Sequence, residues 1–520
     1  MLLGFAFVFT SILFAQTERW VYRYNGPGNS DDYAHSIVYG MDGNIYAAGQ
    51  SFGGEPARSD LTVISLTSTG IQRWVYRYAN HYEDNAWAIT YGHDHNIYAA
   101  GYVNGTAMDL AIISLTSSGT LRWIYTHNGP LNSDDYAVSI IQGSDGNIYA
   151  AGRSGGISTH DLFVVSLTPS GTERWVYYYD GPAHLLDAAY SISYGPDGNL
   201  YIAGHGGGGA GRHFIVLSLT TSGELRWVYD NGGTNDWMSY AYSLTFDQLG
   251  NVYACGYIWY TGSSWSDFTV VKLDTSGNEQ WIYRYNSPWN GYEGAYSIVY
   301  GADGNIYAAG AGTSANTNFN DLLVISLTPA GEERWIYRYG SPSGLNDGAK
   351  EIVYGDNGKL YITGYCTVSS NAEDWDMIVI EMDTNGVANW IYRYDGPGHY
   401  KDQGEGIVFG SDNNIYVAGW SYGANQDFLI LSLTASLDIA ETLMQSKFVY
   451  PSTHRAVPNP FFSFTSIEGY ENEQFQLFDA SGRYIGVYKG DRIGDNLPAG
   501  LYFVVSDDKS ILPARVVKIR

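Results

Sequence analysis

The apolar positions of this chain fall into short runs with a period of two, and the runs return in one fixed order. In the first set, WVYRY (20–24) alternates, with Trp20, Tyr22 and Tyr24 on one face of an extended strand and Val21 and Arg23 on the other. AHSIVYG (34–40) follows a glycine-proline loop. NIYAAG (44–49) follows Asp42-Gly43-Asn44, a hairpin signal. LTVISL (61–66) is a continuous β-branched run, the pattern of a strand buried on both faces. The turn TSTG (67–70) then leads into the next tryptophan strand. No segment of comparable strength has helical periodicity.

The set repeats eight times. Its W-[VI]-Y signature starts at Trp20, Trp74, Trp123, Trp175, Trp227, Trp281, Trp335 and Trp390. DGNIYAAG (42–49) has seven relatives, from DHNIYAAG at 94 to DNNIYVAG at 412, and DLTVISL (60–66) has seven more. Four short antiparallel strands in a unit of about 50 residues, repeated without linkers, predict an all-β chain folded as an eight-bladed β-propeller over residues 16–433. The array starts on a tryptophan strand and ends on DFLILSL (427–433), which no tryptophan strand follows. Strand 20–24 is therefore expected to pair with 427–433 and close the ring, which removes an exposed edge.

Two resemblances attach to these motifs. D-x-x-G-N-x-Y-x-x-G, clearest at Asp247, Gly250, Asn251, Tyr253 and Gly256, resembles the SBBP-type β-propeller repeat of bacterial secreted proteins. SLTSTGIQRW (65–74) and its copies, with Gly four residues before Trp, resemble the tryptophan-docking repeat of pyrroloquinoline-quinone propellers. That family is eight-bladed and packs the Trp between neighbouring blades. The resemblances imply a fold and no reaction. The quinone family also carries adjacent cysteines against its cofactor. This chain has no such pair, since its two cysteines, Cys255 and Cys366, are far apart.

After Leu433 the repeat stops. Residues 434–457 read as a linker, with a short helix around 437–447. From Pro458 the chain alternates again, through FQLFDASGRYIGVY (475–488), LPAGLYFVV (497–505) and ARVVKIR (514–520), which predicts a small antiparallel sandwich. Asn459-Pro460, Asp479 through Gly482-Arg483, Ala499-Gly500-Leu501-Tyr502 and the basic ending Lys518-Ile519-Arg520 together resemble the C-terminal sorting domain of type IX secretion cargo. The resemblance implies that residues 458–520 engage the type IX machinery and that the protein is secreted or held on the outer cell surface of a Gram-negative bacterium. Residues 2–15 are almost wholly apolar and fit a signal peptide over 1–15, although no Lys or Arg precedes the run.

Composition narrows the partners. The formal net charge is −26, which repels nucleic acid and anionic lipid. No stretch of the mature chain is long and apolar enough to span a membrane as a helix. A glycan, peptide or protein ligand stays open. No cofactor is predicted, with calcium left open as an ion.

Candidate site residues are of two kinds. An acid stands four residues before the Ser, or its equivalent, of each inner strand: Asp32, Asp84, Asp135, Asp187, Glu293, Asp347 and Asp402, with Ser239 in the fifth unit. Gathered at the channel mouth, these acids would attract cations. Fixing their own loops through backbone N–H groups is the alternative, and recurrence in nearly every unit favours it. A second set of acids precedes the third strands, Asp60 and its equivalents, with His213 in the fourth unit, and reads as structural. Trp237, Trp259, Tyr260, Trp265 and Trp289 lie in loops outside the repeat pattern and are candidates for stacking on a sugar or peptide. HGGGGAGRH (205–213) reads as a flexible loop. No nucleophile elbow, zinc helix, phosphate loop or dinucleotide fingerprint is present. The functional expectation is a binding or scaffold module, the alternative an extracellular enzyme acting on a polysaccharide or other polymer.

Overall fold

The computed structural model describes residues 18–435 apart from 55–57, 80–82, 106, 157–158, 209–210, 232–237, 260–264, 315–318 and 370–373, together with parts of 456–518. The expected signal peptide, most of the expected linker with its short helix, Trp237 and Tyr260 lie outside the described residues. The chain divides into two units, Met1–Ser436 and Leu437–Arg520.

The first unit is an eight-bladed β-propeller of four-stranded antiparallel sheets. Blade 1 is built from Tyr33–Tyr39, Asn44–Phe52, Ser59–Thr67 and Gln72–Tyr78, from the inner to the outer strand. Blades 2 to 7 repeat this order. Their inner strands start at Asn85, Asp135, Ala188, Tyr240, Glu293 and Asp347, and each inner strand packs beside that of the next blade. Blade 8 takes three strands from Asp402–Phe409, Asn414–Tyr422 and Gln426–Thr434, and its outer strand from Glu18–Tyr24. Trp20 stands opposite Ser432 and Tyr24 opposite Phe428, so the ring closes as the repeat phase predicts.

Two repeated devices explain the motifs. The first is a polar network at the hairpin. Asp42 accepts the hydroxyl of the buried Tyr46 at 2.6 Å, and Arg73 donates to that hydroxyl at 3.0 Å and to Ser65 at 2.8 Å. Asp94-Tyr98-Arg122 and Asp303-Tyr307-Arg334 repeat it, and in the closing blade Arg19 crosses the seam to Tyr416 and Ser432. A buried tyrosine needs such a partner.

The second device is the tryptophan dock. A Cβ on Gly70 would lie 2.6 Å from the Trp20 ring, and Gly119, Gly171, Gly223, Gly277, Gly331 and Gly386 meet the following tryptophans, Trp74 to Trp335, in the same way. These glycines also hold positive φ, +83° at Gly70. The seven indole N–H groups each donate to a carbonyl of the turn they cover, as Trp20 does to Ser68 at 3.1 Å and Trp335 to Thr384 at 3.0 Å. Trp390 is the exception. Its blade faces blade 8, whose third strand does not turn into a fourth but is completed by the N-terminal strand. Trp390 is buried against Ala435, and its N–H finds no partner among the described residues.

The second unit contains a four-stranded antiparallel sheet in the order Tyr484–Lys489, Gln474–Asp479, Gly500–Ser506, Ala514–Lys518, and a two-stranded pair, Ala456–Val457 with Ser466–Ile467. Phe475, Leu477, Ile493, Tyr502 and Val504 form its core.

Candidate functional site

The seven loop acids are not gathered at the channel. Each is buried in its own blade, and five of them tie two loops together. Asp32 accepts the N–H of Gly26 and of Phe52, both at 2.6 Å, which joins the loop before the inner strand to the loop after the second strand. Asp135 ties Gly129 to Gly155, Asp187 ties Gly181 to Gly207, Asp347 ties Ser341 to Thr367, and Asp402 ties Gly396 to Tyr422. Asp84 accepts from Asn104 at 2.9 Å, and Ser239 accepts from Trp259 at 3.2 Å in the fifth blade. Glu293 is buried at the equivalent place. Burial pushes the Asp32 carboxyl up to about 7 and those of Asp187, Asp347 and Asp402 up to about 6, against the opposing pull of the amides. The acids before the third strands are taken up differently: Asp60, Asp267, Asp321, Asp376 and Asp427 pair with outer-strand arginines.

The channel is lined by a tier that the repeat motifs do not mark. Every inner strand carries a β-bulge at one position, between Ala34 and Ser36 in blade 1 and at the equivalent step of the other seven. The extra residue is aimed into the channel. Around the ring these residues are His35, Trp87, Val138, Tyr190, Tyr242, Tyr296, Lys350 and Glu405, and all eight line a central space of about 290 Å³. The last glycine of NIYAAG exists for this bulge. A Cβ on Gly49 would lie 1.9 Å from the Tyr33 carbonyl, and the seven equivalent glycines meet the same carbonyl at 1.8–2.1 Å.

The tier is chemically lopsided. Blades 7, 8 and 1 bring Lys350, Glu405, Glu351 and His35. Lys350 stands 3.7 Å from Glu405, and Glu351 accepts the Ile407 N–H at 2.7 Å. Burial pushes Glu351 up to about 7, and burial with the Lys350 charge pushes His35 down to about 4, although solvent reaches both along the channel. Blades 4 to 6 bring tyrosines in mutual contact. Tyr242 lies 5.0 Å from Tyr190 and 5.5 Å from Tyr296 between ring centroids, and Tyr292 and Tyr296 share a hydrogen bond of 2.8 Å.

On the loop face a cavity of about 480 Å³ adjoins the channel, with Trp87, Val138 and Tyr190 lining both. Its further walls include Tyr102, Tyr136, Arg153, His160, His205 and Arg212. His205 and Arg212 correct the reading of 205–213 as a flexible loop. Leu200–Gly208 and Gly211–Leu219 are paired strands that run up to Gly208 opposite Gly211, so both side chains stand on a sheet. Gly206, Gly207, Gly208 and Gly211 pair as strand because the second and third strands of this blade continue beyond the end of its inner strand.

Trp259 and Trp265 come together, with ring centroids 6.0 Å apart and planes 25° from parallel. Trp289 lies apart from them under the Arg338 guanidinium at 5.2 Å. Two groups of carboxylates have oxygens close enough to share a metal ion such as calcium: Asp161, Asp180 and Asp187, and Asp376, Asp395 and Asp402. Arg393 already neutralises Asp376 at 2.6 Å. Tyr178, opposite Phe163, takes the outer-strand position that Arg393 takes opposite Ile378, so the first group suits a cation better.

No known protein family matches the chain, and no curated protein matches it. Among solved structures it is similar to Sqt1 from Chaetomium thermophilum, with 13% identity over 80% of this chain and 100% of that one and a TM-score of 0.47. It is similar to the periplasmic gluconolactonase PpgL of Pseudomonas aeruginosa, with 13% identity over 72% and 98% and a TM-score of 0.42. The polysaccharide lyase Uly1 is 10% identical over 68% and 90%, with a TM-score of 0.44. These are likenesses of shape.

Proposed function

We propose that the protein is a secreted or cell-surface binding module that takes a glycan or peptide at the loop-face mouth of its channel, and that residues 458–520 direct its export through a type IX-like route. One observation carries the binding reading. The positions that face the channel differ from blade to blade, while the residue before each is Ala in seven blades and Gly in the eighth, and structural repeats have no need of that difference. Five acids in equivalent loop ties favour a scaffold over a metal-filled or catalytic acidic ring.

A glycan and peptide array on the purified protein is expected to yield a ligand whose binding is lost on Trp87→Ala. A ligand retained by Trp87→Ala and lost on Trp265→Ala would move the site to the exposed tryptophan pair. Truncation at residue 457 in a host with a type IX machine is expected to keep the protein inside the cell. Normal export of the truncated chain would refute the sorting role. The second reading, an enzyme acting on polysaccharide, rests on the channel carboxylates Glu351 and Glu405, the first raised toward neutrality as an acid/base group requires. Release of new sugar ends from any bound polysaccharide, abolished by Glu351→Gln, would establish it.

A further inference from the structure

The cavity lined by blades 2 to 4 has a charge unlike the rest of the molecule. The repeated arginines are neutralised or tied, as Arg77 is to Asp60 and Arg338 to Asp321. Arg153 and Arg212 belong to neither repeated set, and no carboxylate lies within 4.0 Å of either among the described residues. Arg153 lies over the Tyr136 ring at 4.4 Å with its Nε buried and unbonded, and Arg212 donates to the Tyr240 hydroxyl. Asp134, the carboxylate of the lining, accepts the Met108 N–H at 3.3 Å.

His205 is the second observation. It is 2% exposed and lines this cavity, and neither of its ring nitrogens has a hydrogen-bond partner among the described residues. Its ring lies 5.0 Å from Tyr240, 5.5 Å from Tyr190 and 6.1 Å from His160. A buried imidazole with both hydrogen bonds unmade is costly, and beside it stand two half-buried guanidinium groups, one with a buried, unbonded Nε. A partner that accepts hydrogen bonds and carries negative charge would relieve all three. Burial, then Arg212, His160 and Arg153, push the His205 pKa well down; burial opposes charge of either sign, and it is the arginine charges that favour an anion here.

We propose that this cavity binds the acid group of an acidic saccharide. Its carboxylate or sulfate would be held by Arg153, Arg212 and the N–H of His205, with the sugar ring against Trp87, Tyr136 and Tyr190. Tyrosine and tryptophan surfaces suit a ring that is apolar on its faces and hydroxylated at its edge, which an extended acidic peptide lacks. A volume of about 480 Å³ is that of a small-molecule site. The assignment rests on the channel-mouth reading above and specifies its ligand class.

Calorimetric titration of the full chain tests it, with trigalacturonate as the carboxylate probe, a sulfated galactose tetrasaccharide as the sulfate probe, cellotriose as the neutral one and pentaglutamate as the peptide. One acidic saccharide is expected to bind, with affinity that falls as salt rises, and which of the two binds identifies the acid group. Arg153→Gln and Arg212→Gln should each weaken it at least tenfold, and Arg58→Gln, an exposed arginine elsewhere, should leave it within twofold. Circular dichroism confirms that each variant is folded. No binding of either acidic saccharide at millimolar concentration overturns the proposal, as does pentaglutamate binding with the same arginine dependence. Cellotriose bound equally well, insensitive to both arginines but lost on Trp87→Ala, overturns the anion assignment and leaves the channel-mouth reading standing. Binding that responds neither to the arginine variants nor to Trp87→Ala overturns both.

Discussion

Glu351→Gln removes one charge from the channel wall while keeping the carbonyl that accepts the Ile407 N–H at 2.7 Å. Glutamine therefore imitates the protonated acid. Burial raises the carboxyl from 4.5 to about 7 in the folded protein, and the one amide bond only partly opposes it. The sign follows from linkage. A folded pKa above the unfolded one means that protonation contributes stability that is complete below 4.5 and lost as pH rises through 7. The glutamine variant has no such loss. Relative to the parent it should gain about 1 kcal/mol at pH 5 and at most roughly 3 kcal/mol at pH 8, since a tenfold change in the ionisation equilibrium is worth about 1.4 kcal/mol. Water in the channel screens part of the penalty, so about half of that upper figure is the working expectation. Urea denaturation followed by tryptophan fluorescence, at half-unit steps from pH 5 to 8, measures the gap. A gap that does not change with pH, or a variant that becomes less stable than the parent above pH 7, would mean that Glu351 is ionised and paired. Its place as an acid/base group would then fall.

Four further outcomes are expected. Asp347→Ala should cost about 2–5 kcal/mol in denaturant, because it strands the buried N–H groups of Ser341 and Thr367; unchanged stability would refute the loop-tie role. Gly70→Ala should cost about 2–4 kcal/mol, from a Cβ 2.6 Å from Trp20 and a φ of +83°, and should loosen the closing blade first, read by hydrogen exchange of Glu18–Tyr24. Trp335→Phe should lose about 1 kcal/mol through its hydrogen bond to the Thr384 carbonyl, a term that Trp390→Phe lacks among the described residues; a Trp335→Phe variant as stable as the parent would count against the dock. Calcium should raise the unfolding temperature of the parent and of Asp395→Asn but not of Asp180→Asn, since Arg393 already occupies the second carboxylate group, and no rise in the parent would refute calcium binding there.

The ring, its blade count and its closing strand were legible because each rests on a property that repeats: strand alternation, the Asp-Tyr hairpin and the glycine under each tryptophan. The loop acids were legible as a set for the same reason, and their recurrence marked them as ties. The channel residues were not legible, because a period of two has no place for an inserted residue. Reading AHSIVYG as a regular strand puts His35 on a definite face, whereas the bulge turns it into the channel. A signal was nonetheless present. Between a small residue and the residue that pairs again after the bulge, one column reads His, Trp, Val, Tyr, Tyr, Tyr, Lys, Glu through the eight units. The column after the last glycine of NIYAAG varies likewise and holds Arg153 and His205. A propeller made of near-identical blades has a near-symmetric axis, and a single asymmetric ligand can be recognised there only by side chains that differ between blades. Variation within the repeat, rather than the acids and tryptophans that stand out by their chemistry, is therefore the feature from which such a site is read.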